Sequence, residues 1–122
     1  MEELNNEIVE IAWEKAKKVD GFAPDLIRQD ACGAWIRKDM YGDVNNMYGW
    51  GIDYIFPKAL GGTLIVENIR ALNCQNINSK GRDYPSYKAV LTSEGTTNIS
   101  TELYLTVHEK VRNQLKTIYP DA

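Results

Sequence analysis

The sequence predicts an α+β domain, a small antiparallel sheet packed by an N-terminal and a long C-terminal helix. Three observations carry that expectation. Apolar residues near the N-terminus recur every three or four positions, the middle is rich in aromatic and β-branched residues punctuated by Gly and Asn, and the last third returns to helical spacing. At 122 residues the chain has room for one domain around one core.

In order along the chain, residues 4–19 predict a helix, with Leu4, Ile8, Ile11, Ala12, Ala16 and Val19 on one face and Asp20-Gly21 as its stop. APDLIRQ adds a turn, with Pro24 at a first-turn position. GAWIRKDMYG and MYGWGIDYIF, separated by Gly42 to Asn46, predict a β-hairpin. NIRALNC alternates as a further short strand, and QNINSKGRDYPSY starts as a helix that stops near Gly81. Ile99, Leu103, Val107, Val111, Leu115 and Ile118 predict a long amphipathic helix over 99–118, capped by Asn98 or Ser100. Nothing repeats, and no linker divides the chain.

Composition narrows the function classes. The chain is 43% hydrophobic and 25% charged, with no apolar run long enough to cross a bilayer. MEELNNEIVEIAWEKAKK lacks the basic and apolar regions of a secretory leader, so the expectation is a cytoplasmic chain in which Cys32 and Cys74 stay reduced. Two thiols are too few for a structural zinc site. The net charge of −3 argues against general nucleic-acid affinity. Only residues 28–88, with eight bases against six acids, carry a positive balance. Trp13, Trp35 and Trp50 are expected in the core, Cys74 as a small buried residue, and His108 at the surface.

The stretch GIDYIFPKALGGTLIVENIRALNCQNINSK, from Gly51 to Lys80, carries the chemistry. Its frame of Asp-Tyr-Ile, Pro, Gly-Gly, Asn-Ile-Arg-x-Leu and a closing Lys resembles that of HNH endonucleases. The flanking WEKAKKVDGF, DACGAWI, YGWGIDYI, DYPSY and LTVHEKVRNQL resemble segments of one bacterial subfamily of these enzymes, so the likeness covers nearly the whole chain. The resemblance implies a ββα finger that grips one divalent metal. It also implies a general-base His, an orienting Asn, a metal-binding Asp and a closing His or Asn ligand. A phosphodiester is cut there by an activated water, with the metal as Lewis acid.

Transferred to this chain, the metal-binding Asp falls on Asp53 and the orienting Asn on Asn68, both retained. The base position holds Tyr54, a phenol with a reference pKa of about 10 that keeps its proton at neutral pH. The closing-ligand position holds Ile77, which cannot bind metal. Asn73, Asn76 and Asn78 lie near it as substitute ligands. Lys58, Arg70 and Lys80 flank the site as candidate phosphate contacts, and Leu64, Ile65 and Val66 replace polar loop residues with an apolar triplet suited to a partner. The implied function is a pseudo-nuclease with no cofactor. It binds DNA or a protein, a second copy of the chain among the candidates, in an accessory or anti-defence role of phages or mobile elements. The alternative is a living endonuclease that uses Mg²⁺ or Mn²⁺ on Asp53 and a nearby Asn.

Overall fold

The computed structural model describes residues 6–122, so Leu4 of the expected first helix lies outside it. The chain orders as α1 (Asn6–Glu14), β1 (Ile27–Gln29), β2 (Trp35–Arg37), β3 (Trp50–Tyr54), β4 (Ile69–Asn73), α2 (Cys74–Lys80), β5 (Ser86–Glu94), β6 (Thr97–Thr106) and α3 (Glu109–Ile118). Three antiparallel pairs, β1–β2, β3–β4 and β5–β6, make up the strand content, so the class is α+β as expected. No helix among the described residues is long and apolar enough to cross a membrane.

β3 and β4 divide two apolar clusters. On one side Ala12 and Trp13 of α1 meet Ile36, Trp50, Ile69 and Ala71. On the other, Phe56, Leu72, Tyr87, Ala89, Val107 and Leu115 pack together. Trp13, Trp35 and Trp50 are buried, as is Cys74, while His108 is exposed. Leu72 and Ile69 are wholly buried from opposite clusters, which is why NIRALNC reads as a strand.

Three expectations need correction. The segments around 34–43 and 47–56 do not form a hairpin with each other. β2 pairs with β1 in the register Ile27↔Arg37 to Gln29↔Trp35, and β3 pairs with β4 from Trp50↔Asn73 to Tyr54↔Ile69. Residues 43–49 form a turn held by Asn46 N–H to Asp43 O and Gly49 N–H to Asn46 O instead of a two-strand connection. α1 ends at Glu14 and not near Val19, because the buried Arg28 guanidinium takes the carbonyls of Trp13, Glu14 and Ala16 at 3.2–3.3 Å and Lys17 bridges to Gln29.

The long C-terminal helix is the largest correction. Residues 97–106 form β6, paired with β5 from Glu94↔Thr97 to Ser86↔Thr106 with a bulge between the Ala89↔Leu103 and Leu91↔Ser100 pairs. α3 starts only at Glu109, capped by His108, whose Nδ1 accepts from Lys110 N–H at 3.1 Å. Asn98, one of the two expected caps, instead accepts from Trp35 N–H at 2.7 Å and donates to the carbonyls of Trp35 and Met47 at 3.0 Å. Positions four apart share a face in a regular strand as well as in a helix, so Leu103 and Val107 do not discriminate the two, while the bulge turns Ile99, 37% exposed, to the face opposite Leu103. Leu103 and Leu105, two apart and both packed on the core, fit the strand alone.

Candidate functional site

The site is built on β3, the loop over 55–68, β4 and α2, with α2 starting directly after β4. Asn68 closes the loop. It is fully buried, its Oδ1 accepts from Phe56 N–H at 2.7 Å, and its Nδ2 donates to Phe56 O at 3.0 Å and Thr63 O at 3.1 Å. The chain passes so close here that a Cβ on Gly62 would lie 1.7 Å from the Phe56 carbonyl oxygen, so only glycine fits. Asn68 therefore holds loop backbone, with no imidazole beside it to orient.

α2 is capped at both ends. The Asn73 side chain accepts from Gln75 N–H at 3.0 Å, and Gly81, at φ 52°, closes the C-terminus by donating to Ile77 O. This places Lys80 under β3. Its ammonium is 1% exposed and donates to the carbonyls of Tyr54 and Ile55 at 3.1 and 3.2 Å, with Asp53 Oδ1 at 3.4 Å. Three acceptors match its three N–H groups; burial lowers its pKa and the Asp53 charge opposes that shift. The other Asp53 oxygen, Oδ2, accepts from Arg70 Nε at 3.0 Å. Arg70 in turn lies over the Tyr87 ring, 5.2 Å from its centroid, and Asp53 beside it holds the guanidinium pKa up against the opposing effect of burial.

Asp53 is thus a buried carboxylate between the buried Lys80 and the half-buried Arg70. Ile77 sits on the same face, where a Cβ on Gly51 would come within 3.2 Å of its Cδ1. A divalent ion seeks several oxygen ligands. Here it would meet one carboxylate already tied to an ammonium and a guanidinium, and an isoleucine where a second ligand is needed. This donor set does not fit such an ion. Among the described residues no group of three or more His, Cys, Asp or Glu side chains converges on one point.

The three candidate asparagines are placed differently from Asp53. Asn73 is buried as the α2 cap and donates to Met47 O at 2.8 Å. Asn76 faces β5, accepting from Val90 and Leu91 N–H and donating to Leu91 O and Asp30. Asn78 is exposed and lines clefts that do not include Asp53. Of the three phosphate candidates, only Lys58 is exposed to solvent. Arg70 and Lys80 are turned inward to Asp53. The apolar triplet divides as well. Leu64 packs on the Trp13 cluster, Ile65 is half-buried, and Val66 is 44% exposed. Val66 borders a cleft of about 510 Å³ with Ile55, Val107 and Val111. Tyr54, half-buried, lines a second cleft of about 400 Å³ with Asp53, Lys58, Ile77 and Arg82.

Sequence reasoning missed a second buried carboxylate. Asp30 Oδ1 accepts from Cys32 and Ala34 N–H at 2.8 and 2.9 Å, and Oδ2 accepts from Asn73 N–H at 2.8 Å and Asn76 Nδ2 at 3.2 Å. Burial raises its pKa and these four donors pull it back. Asp30 ties the β1–β2 turn to the start of α2 and so fixes the helix that carries Ile77 and Lys80. Comparison of the chain with family models, curated proteins and solved structures finds no match.

Proposed function

We propose that this chain is a pseudo-nuclease, an HNH-like domain that works by binding and does not cut. One observation supports the reading above the rest: the Arg70–Asp53–Lys80 cluster neutralises from within the protein the carboxylate that a catalytic metal would need. Tyr54 in place of a base and Ile77 in place of a ligand support it from the sequence side. Binding can outlast chemistry, because shape and surface do not depend on the reacting groups.

Between DNA and a protein as the bound partner, the reading favours a protein. Two of the three cations suited to phosphates, the buried Lys80 and the half-buried Arg70, are engaged with Asp53, and Val66 offers an exposed apolar contact. In the phage or mobile-element setting that the resemblance implies, such a chain would act as a competitor or accessory subunit. The test is incubation of plasmid and single-stranded DNA with the chain and Mg²⁺, Mn²⁺, Ni²⁺ or Zn²⁺. The expected result is intact DNA throughout. A nick that requires the metal and disappears in Asp53→Asn overturns the reading.

A further inference from the structure

β3 pairs with β4 along one edge, and at the other edge, among the described residues, a single bridge from Tyr41 meets it at Trp50. Ile55 N–H to Asn68 O and Cys74 N–H to Gly49 O set the ladder so that Trp50, Ile52 and Tyr54 turn their backbone groups to the other edge. At the ends of that edge, Trp50 O accepts from Gly42 N–H and Tyr54 O accepts from Lys80 Nζ. In the middle, the N–H and C=O of the half-buried Ile52 have no protein partner among the described residues. Two clefts flank this point and share Ile52 and Ile77. One, of about 400 Å³, adds Tyr54, Pro57 and Ala59. The other, of about 250 Å³, adds Tyr41 and Val44, the latter 68% exposed.

The charge around the larger of the two clefts is net positive. The cluster below it holds two cations against one carboxylate, leaving one positive charge uncompensated. Lys58 and Arg82 line the larger cleft, both exposed and neither in an ion pair among the described residues. Asp83, next to Arg82, opposes them with one negative charge, and Asp43, between Gly42 and Val44 of the smaller cleft, adds another there. Phosphate suits such a charge but not an isoleucine floor, and the buried Lys80 cannot reach out to it.

We propose that the free edge of β3 receives an extended acidic segment of a protein partner, which pairs with the Ile52 backbone and places two apolar side chains in the flanking clefts. Alternate residues of an added strand lie about 6.6 Å apart on one face, which suits two neighbouring clefts that share a wall. Carboxylates beside those residues meet Lys58 and Arg82. The proposal rests on the non-cutting reading, and the cleavage assay tests that reading separately.

A displayed library of short random peptides, selected on the full chain, tests it. The expected winners carry an apolar-x-apolar pattern flanked by Asp or Glu. Their binding should fall about tenfold or more on the chain with both Lys58→Glu and Arg82→Glu. It should fall again when the peptide amide facing Ile52 is N-methylated, since that removes the main-chain bond. Both substituted residues are exposed, so the variant keeps its fold, checked by circular dichroism. Failure to enrich peptides, enrichment of basic ones, equal binding to the charge-reversed chain, indifference to N-methylation, or displacement of the peptides by single-stranded DNA each overturns it.

Discussion

At the scale of single residues, buried charge decides most. Asp53 is the carboxylate that ion-pairs with both Arg70 and Lys80. Asp53→Ala should therefore cost about 3–5 kcal/mol in urea unfolding, the usual penalty for stranding buried partners of an ion cluster. A loss under about 1 kcal/mol would mean that the cations find solvent easily. Cys32 gives a pH signature. Burial, with Asp30 nearby, pushes its thiol up to about 12 from an ordinary 9.0. Between those values the unfolded thiol releases its proton and the native one keeps it, so stability falls as pH rises above 9. The stability gap between wild type and Cys32→Ala should shrink by up to about 1.4 kcal/mol per pH unit across that window. A gap that does not change with pH would show a solvated thiol.

At the scale of elements, Asn68 is the buried side chain that ties the loop from Phe56 to Glu67, with Tyr119 at Thr63 and Lys15 at Val66 as further holds. Asn68 supplies three hydrogen bonds to Phe56 and Thr63 backbone, and Asn68→Ala leaves those groups bare. A loss of about 2–3 kcal/mol is expected, with faster hydrogen exchange at Phe56. Exchange at Phe56 unchanged from wild type would show that the loop holds itself. α2 depends on Asp30 in the same way. In Asp30→Asn a side-chain NH₂ would face the N–H donors of Asn73 and Asn76 or those of Cys32 and Ala34. The expected cost is again about 2–3 kcal/mol in chemical denaturation. A near-neutral effect would mean that water replaces the carboxylate.

At the scale of the whole molecule, the apolar triplet separates folding from association. Leu64 belongs to the cluster around Trp13, and Val66 faces solvent beside Val107 and Val111. Leu64→Asp should lower stability by roughly 2 kcal/mol, since a carboxylate would enter an apolar cluster. Val66→Asp should leave the urea midpoint where it is and weaken any association at that cleft. Light scattering across a concentration series reads the second effect. If wild type self-associates through Val66, the variant shifts to monomer. A Val66→Asp chain that unfolds would assign the whole triplet to the core.

The sequence by itself determined the α+β class, α1, β4, α2 with its glycine stop, and the burial of the three tryptophans. Local pattern and capping chemistry are read from neighbours in the chain, and these elements have strong local signals. It also singled out the stretch from Gly51 to Lys80, through residue types that keep their places along a line. Only tertiary structure decided strand partners, since pairing β3 with β4 and not with β2 depends on which apolar faces meet across α1. It alone moved residues 97–106 from helix to strand, because β5 supplies the ladder that four-residue spacing does not reveal. It alone turned Arg70 and Lys80 from surface cations into partners of Asp53. Ion pairing across 17 or 27 positions leaves no periodicity to read, and burial is a property of what packs on top.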